Sequence, residues 1–189
     1  MRNRLSVLTA ILLALSCNAQ ADFSGAYAVG NWAILTSHGG SVDTSGAPAS
    51  VTMFGGSDGL GTSNQTMIIT SPVSGSISFH WNYLQDAADT PTWDPFGYLL
   101  NSSFYKLTLD LGPNSQSGDV LLALTAGDSF GFEQNSFDSK VGYATTTISN
   151  FSGPVATAGP GNSAPEPATL ALLGLSLLGL AASRRAWWN

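Results

Sequence analysis

The middle of the chain alternates apolar and small polar residues with a period of two, which is typical of half-buried β-strands. In residues 76–83 the apolar face carries Ile77, Phe79, Trp81 and Tyr83, and the polar face carries Ser76, Ser78, His80 and Asn82. Residues 104–111 repeat the pattern, with an apolar face made of Tyr105, Leu107, Leu109 and Leu111. Both segments are predicted to be strands.

Six further segments have strand character, and they bring the predicted number of strands to about eight: residues 28–36, 50–54, 66–71, 119–125, 129–134 and 142–151. Segments containing Gly, Asn or Pro, such as Gly127-Asp128, supply the turns between them. No sustained 3.6-residue apolar stripe interrupts this pattern, so no helix of more than two turns is expected here. The sequence therefore predicts one all-β domain over residues 22–151, an antiparallel β-sandwich of jelly-roll type.

The N-terminus has a different, uninterrupted apolar pattern. Arg2 and Arg4 precede the apolar run 5–15, and Ala19 and Ala21 form a small-x-small site that signal peptidase could cut. Residues 1–21 are therefore predicted to be a secretion signal helix that is removed on export.

Cys17 is the single cysteine and raises the alternative of an acylated lipoprotein signal. Ala14 stands where such signals usually have leucine, so cleavage after Ala21 is preferred. That cleavage would leave a mature protein without disulfides or thiolate metal ligands.

A second apolar segment follows the predicted domain. Residues 152–163 are rich in Gly, Ala and Pro without periodicity and are predicted to be a flexible linker. The uncharged residues 168–182 then predict a single-pass transmembrane helix, which at 1.5 Å per residue reaches roughly 22 Å of a ~30 Å hydrocarbon core. Arg184 and Arg185 follow as a basic tail, and the positive-inside rule leaves residues 22–163 on the periplasmic side of the inner membrane.

The last segment, residues 164–189, resembles the PEP-CTERM sorting signal of Gram-negative bacteria. The resemblance is carried by Pro165, Glu166 and Pro167, by the Leu-, Ala- and Gly-rich helix, and by Arg184 and Arg185. In that family exosortase, a membrane-embedded cysteine protease-like enzyme, removes the helix. The resemblance implies that these five residues serve sorting and processing, and that the body is held briefly at the inner membrane before it reaches the cell surface or the extracellular space.

The predicted body is strongly acidic. Residues 22–163 contain two lysines and eleven acidic residues, which gives a formal charge of −9. This charge disfavours nucleic acid and anionic lipid as partners. Cations and neutral polysaccharide remain compatible with it.

The densest group of carboxylates lies on a loop with two prolines and consists of Asp86, Asp89 and Asp94. Carboxylate oxygens suit Ca²⁺, so a calcium site is one interpretation. The preferred interpretation is a solvated loop whose aspartates cap turns, because no complete calcium motif is present. No other cofactor is expected.

One segment matches a nucleophile motif. Residues 55–59 read G-x-S-x-G around Ser57, but Leu60-Gly61 is a poor helix start, so a flexible glycine-rich loop is preferred to a hydrolase elbow. His38 and His80 lie too far apart in sequence for a common metal or triad spacing. The chain is therefore expected to be non-enzymatic, without catalytic residues.

Five aromatic residues could form a sugar-stacking platform, although a role in the core is preferred: Trp32, Trp81, Trp93, Tyr83 and Tyr98. Taken together, the patterns predict an exported cell-surface or extracellular-matrix protein associated with exopolysaccharide or biofilm. The alternative is a calcium-dependent or carbohydrate-binding module.

Overall fold

The computed structural model describes residues 22–140 and 142–155. Its strands are β1 Ala33–Leu35, β2 Ser41–Asp43, β3 Ser50–Phe54, β4 Ser63–Thr70, β5 Gly75–Gln85, β6 Phe96–Leu100, β7 Ser103–Lys106, β8 Ser115–Leu124, β9 Ser129–Ser136 and β10 Ala144–Ser152. Two three-residue 3₁₀ turns, Gly25–Tyr27 and Val29–Asn31, precede them. In this part of the chain no helix is long and apolar enough to cross a membrane. The predicted signal helix and transmembrane helix lie outside the described residues.

The strands form two antiparallel sheets, and this confirms the predicted sandwich. The first sheet has the order β1-β4-β9-β6-β7, and the second has the order β2-β3-β10-β5-β8. Strands β3 to β10 alone give two four-stranded sheets with jelly-roll connectivity, because all their connections except the β6–β7 hairpin cross from one sheet to the other. The short strands β1 and β2 add one edge to each sheet, which raises the count from about eight to ten.

The core lies between the two sheets and follows the period-two pattern. In β5 the predicted apolar face of Ile77, Phe79, Trp81 and Tyr83 is buried against the first sheet. His80 on the same strand lies on the outward face, as predicted. Strands β8 and β10 alternate in the same way, so the second sheet has one face in the core and one toward solvent. In the first sheet, β9 is buried along nearly its whole length.

The N-terminal segment closes one end of the core with aromatic rings. Its buried side chains Phe23, Tyr27 and Trp32 pack on strands of both sheets. The ring centroids of Trp32 and Phe132 are 5.7 Å apart in a stacked arrangement, and the Trp32 indole donates a hydrogen bond of 2.9 Å to the Tyr27 carbonyl. The predicted strand over residues 28–36 is wrong for its first half, which forms 3₁₀ turns that turn these rings inward.

The strand predicted over residues 104–111 is wrong beyond Lys106. The chain leaves the sheet there because Lys106 pairs with Asp110 at 2.7 Å and the Gln116 side chain bonds the backbone N–H and carbonyl of Leu109. Leu109 and Leu111, expected on the buried face, are 67% and 100% exposed.

The two ends of the sandwich have different connections. At one end the loops span five to ten residues: 36–40, 55–62, 86–95, 107–114 and 137–143. At the other end they span two to six residues: 44–49, 71–74, 101–102 and 125–128. These are called the long-loop end and the tight-turn end below. Loops that a rigid sheet positions are the usual place for binding residues, so the long-loop end is the first place to look for a site.

Candidate functional site

A pocket of about 340 Å³ opens at the long-loop end, where β3 ends and β10 begins. It is called the rim pocket, and its lining consists of Gly39, Ser41, Phe54, Gly55, Ser57, Asp58 and Tyr143. The pairing of β3 with both β2 and β10 brings these residues together, since Phe54 faces Ser41 on one side and Thr145 on the other.

Two aromatic rings form one wall of the rim pocket. Phe54 is the last residue of β3, and Tyr143 immediately precedes β10. Their ring centroids are 6.3 Å apart with an edge-to-face angle of 70°. Tyr143 is 43% exposed, so part of its ring is available to a ligand, while the edge-to-face contact with Phe54 supports it.

A hydrogen-bonded carboxylate forms the opposite, polar side. The Asp58 carboxylate lies 3.2 Å from His38 Nδ1 through Oδ2 and accepts a 2.9 Å bond from the Leu60 N–H through Oδ1. The backbone N–H of Ser57 donates to the His38 carbonyl at 3.2 Å. These contacts join loop 36–40 to loop 55–62 and fix the direction of the carboxylate.

Glycine permits this close approach of the two loops. A Cβ atom at Gly56 would lie 2.7 Å from the His38 carbonyl oxygen, which is too short for any side chain. His38 itself has φ of 51° and Gly39 has φ of 77°, so the chain turns sharply beside the pocket. The Gly-rich sequence around Ser57 is therefore explained by loop packing.

The nucleophile motif at Ser57 does not have the geometry of a hydrolase elbow. Such an elbow requires a helix directly after the serine, whereas residues 58–61 form bends that lead toward β4. The His38 imidazole bonds Asp58, and the contact of Ser57 with His38 is between backbone atoms. The preferred prediction of a glycine-rich loop agrees with this arrangement.

Beneath the long-loop end, the interior is polar. The Tyr83 hydroxyl lies 2.5 Å from Gln85 Oε1 and 2.9 Å from the Asp94 carbonyl, and Gln85 Nε2 donates to Asp94 Oδ2 at 2.7 Å. Gln134 Nε2 donates to the same Asp94 carbonyl at 2.9 Å, while Gln134 Oε1 accepts from Thr146 at 2.7 Å. This network attaches loop 86–95 to both sheets.

Asp94 is the central group of that network. Its side chain is fully buried, and its Oδ1 atom has no hydrogen-bond partner among the described residues. Burial raises the pKa of the Asp94 carboxyl, because a charged group loses its hydration there. Burial, and after it the charge of Asp94, also raises the pKa of the Tyr83 hydroxyl.

The three aspartates considered for calcium point in different directions. Asp86 and Asp89 accept bonds from the backbone N–H groups of Ala88 and Thr90 at 2.9 and 2.7 Å, while Asp94 points into the core. Over residues 22–140 and 142–155, no three His, Cys, Asp or Glu side chains are grouped to hold a metal ion. Asp86 and Asp89 thus bond the backbone of their own loop, as the preferred interpretation expected. That interpretation is wrong for Asp94, which is buried rather than solvated, and the three carboxylates do not come together.

The aromatic residues considered for a platform are also dispersed. Trp32, Trp81 and Tyr83 are buried in the core, which confirms the preferred interpretation for them. Tyr98 stacks on Tyr105 at 5.0 Å near the edge of the first sheet, and Trp93 is 48% exposed on loop 86–95. The remaining predicted functional residues, at the two termini, lie outside the described part of the chain: Ala19, Ala21, Pro165, Glu166, Pro167, Arg184 and Arg185.

A family model of the PEP-CTERM protein-sorting motif matches residues 163–185. The match confirms the resemblance drawn from the Pro-Glu-Pro sequence and the arginine pair. The chain therefore carries a sorting signal that implies export and processing by exosortase. No curated protein sequence matches the chain.

Three solved structures similar to this chain contain family 35 carbohydrate-binding modules. The module from Clostridium thermocellum has a TM-score of 0.35 at 14% identity and covers 62% of this chain and 92% of its own. A module from an environmental isolate has a TM-score of 0.39 at 13% identity, covering 67% and 93%. The Podospora anserina GH26-CBM35 β-(1,4)-mannanase has a TM-score of 0.34 at 16% identity, covering 75% of this chain and 28% of its own.

Proposed function

We propose that this chain is a non-enzymatic cell-surface or extracellular-matrix protein whose β-sandwich binds extracellular polysaccharide through the rim pocket. Signal peptidase cleaves after Ala21, residues 168–182 hold the body at the inner membrane, and exosortase then processes the tail. The sorting motif at residues 163–185 supports this route, because it implies export. The mature protein is then a component of the exopolysaccharide or biofilm around the cell.

The observation that carries this proposal is the composition of the rim pocket. An exposed tyrosine ring at Tyr143 stands beside the hydroxyl of Ser57 and the carboxylate of Asp58. A sugar ring offers C–H faces that pack on an aromatic ring and hydroxyl groups that bond a carboxylate or a serine. Specific pockets commonly combine an apolar wall with a few well-placed polar groups of this kind.

Charge restricts the class of polysaccharide. The predicted mature body has a formal charge of −9, and Asp58 is itself the polar group at the pocket. An acidic polysaccharide would be repelled by this field, and the repulsion would be strongest at low salt. The expected ligand is therefore a neutral polysaccharide.

The test is native affinity electrophoresis of the processed protein in gels that contain dextran, galactomannan, a β-1,4-glucan or the exopolysaccharide of the producing cells. We expect retardation by at least one neutral polysaccharide, and its loss in Tyr143→Ala and Asp58→Ala. Phe137→Ala is the matched control, because Phe137 is a half-exposed aromatic residue at the same end but outside the pocket. Equal migration in all gels, or full retardation of Tyr143→Ala, would contradict the proposal.

A further inference from the structure

The outer face of the second sheet is a field of hydroxyl and amide groups. Strand pairing arranges them in rows across the sheet, one of which contains Thr52, Thr147, Asn82 and Ser117 and ends at the exposed Asp43 on β2. Further hydroxyls on this face belong to Ser50, Ser76, Ser78, Ser115, Thr145 and Ser149. All are exposed or half-buried, and no lysine or arginine lies on this face in the described strands. The set is called the polar face.

A second pocket, of about 450 Å³, interrupts the polar face and is called the sheet pocket. It is bordered by His80, Asp119, Leu121 and Asn150. The cause is a bulge in β10, where the pairing with β5 shifts between Ser149 and Ser152 and Asn150 takes a φ of 49°. A bulge of this kind bends the strand and opens the surface beside it.

The sheet pocket offers the same kind of chemistry as the rim pocket. His80 Nδ1 lies 2.7 Å from Asp119 Oδ1, and this bond orients the imidazole so that Nε2 is the nitrogen left for a ligand. Leu121, which is 75% exposed, adds an apolar surface next to the ring. An oriented polar group beside an apolar side chain is what the rim pocket also provides through Asp58 and Tyr143.

The two pockets lie toward opposite ends of the same strand. Tyr143 immediately precedes β10, and Asn150 lies near the end of that strand, seven residues later. At a rise of 3.3 Å per residue the separation is about 23 Å. The surface between them carries the hydroxyls of Thr145 and Thr147 on β10 and the exposed Leu84 beside Thr145. These side chains are uncharged, which fits an uncharged, hydroxyl-rich polymer.

Resting on the proposed function, we propose that the sheet pocket is a second subsite for the same neutral polysaccharide. The polymer lies along the polar face, with one sugar at Tyr143 in the rim pocket and another at His80 and Leu121. The protein then binds an internal stretch of an extended polysaccharide. A short oligosaccharide fills only one of the two pockets.

The experiment is calorimetric titration with linear oligosaccharides, from disaccharide to octasaccharide, prepared from the neutral polysaccharide that retards the protein most strongly. Affinity is expected to rise with length until the oligosaccharide reaches both pockets. His80→Ala should weaken binding of the longest oligosaccharide by roughly tenfold, the effect of losing about one good hydrogen bond, and leave the disaccharide unaffected. Leu121→Ser should act in the same direction without touching the His80–Asp119 bond.

Asn64→Ala, which removes an exposed amide from the first sheet, is the matched control and should bind like the wild type. Affinity that does not change with length, or unchanged binding of the longest oligosaccharide by both sheet-pocket variants, would overturn the second subsite. That result would leave the rim pocket in place if Tyr143→Ala still abolished retardation. A wild-type protein that no polysaccharide retards would overturn both proposals.

Discussion

The two ends of the sandwich are built from different chemistry. Toward the tight-turn end the interior is a set of packed aromatic rings, of which Phe23 and Phe151 stack at 4.6 Å and Phe79 and Phe132 meet edge to face at 4.9 Å. Toward the long-loop end the interior holds side-chain amides and the buried carboxylate of Asp94. Burial of apolar side chains stabilises the fold but does not fix the orientation of the groups involved. A hydrogen-bonded network fixes the orientation of its side chains but adds less net stability.

The surfaces differ in the same sense. The connections at the long-loop end expose several large apolar side chains: Leu60, Trp93, Leu109, Leu111, Phe137 and Tyr143. The connections at the tight-turn end, residues 44–49, 71–74, 101–102 and 125–128, expose no large apolar side chain. Such a concentration of apolar groups at one end of an exported domain is typical of an interaction surface. On the proposed function, the tight-turn end contributes most of the packing stability and the long-loop end presents the rim pocket.

The largest loss of stability is expected from a substitution among the aromatic rings of the tight-turn end. Trp32→Ala removes a side chain that packs on Phe23, Phe130 and Phe132, and should lower the free energy of unfolding by about 3–5 kcal/mol. Urea unfolding followed by tyrosine fluorescence or circular dichroism measures it. Trp93→Ala is the control at the long-loop end. Equal losses of unfolding free energy in the two variants would contradict the difference in stability between the two ends.

A smaller loss is expected from the polar network. Gln134→Met keeps the side-chain length but leaves the Thr146 hydroxyl without its partner and removes one of the two donors to the Asp94 carbonyl, at a cost of about 1–3 kcal/mol. The same unfolding experiment measures it, with Asn82→Ala on the solvent side as the control. A loss of unfolding free energy as large as that of Trp32→Ala would show that the long-loop end contributes as much stability as the tight-turn end.

The pH dependence of stability should reveal Asp94. Burial raises the pKa of the Asp94 carboxyl, so the folded protein keeps the carboxyl proton over a pH range in which the unfolded chain has released it. Stability therefore falls as the pH rises from about 4, the ordinary carboxyl pKa, through the raised value in the folded protein. Glu133, whose pKa burial also raises, contributes with the same sign.

Asp94→Asn cannot titrate at this position and should lose less stability over that range than the wild type. Urea midpoints collected from acid to neutral pH give the two profiles. Parallel profiles would mean that the buried carboxyl is not the group responsible.

The smallest effect is expected at the tip of loop 107–114. Leu111 is 100% exposed, so Leu111→Ser should change the free energy of unfolding by less than about 0.5 kcal/mol. Thermal unfolding measures the change. A clear destabilisation would show that this leucine packs against something in the folded protein.

The alternation of apolar and polar residues was sufficient to predict a strand where one face is apolar and the other polar, as in β5. It missed β6, because Gly97 and Leu99 occupy the outer face of that strand and remove the polar half of the pattern. Phe104 lies over Gly97 there, so the outer surface is covered without a polar side chain. Strand β2 was missed because three residues are too short for any period to be visible.

The rim pocket could not be predicted for a different reason. Its residues come from three segments, and Tyr143 lies far along the chain from Ser57 and Asp58. The pairing of β3 with both β2 and β10 brings the three segments together. The sequence singled out Ser57 for its glycine neighbours, but the pairing of His38 with Asp58 depends on loop geometry that no local motif encodes.

The most direct test of polysaccharide binding at the long-loop end is a nitrogen-15 NMR titration with the shortest oligosaccharide that calorimetry shows to bind, one too short to reach the sheet pocket. We expect the changes in amide chemical shift to concentrate at residues 38–41, 54–58 and 142–147, and the amide shifts of the tight-turn end to stay unchanged. Shifts confined to the tight-turn end, or no shifts at saturating oligosaccharide, would contradict this assignment.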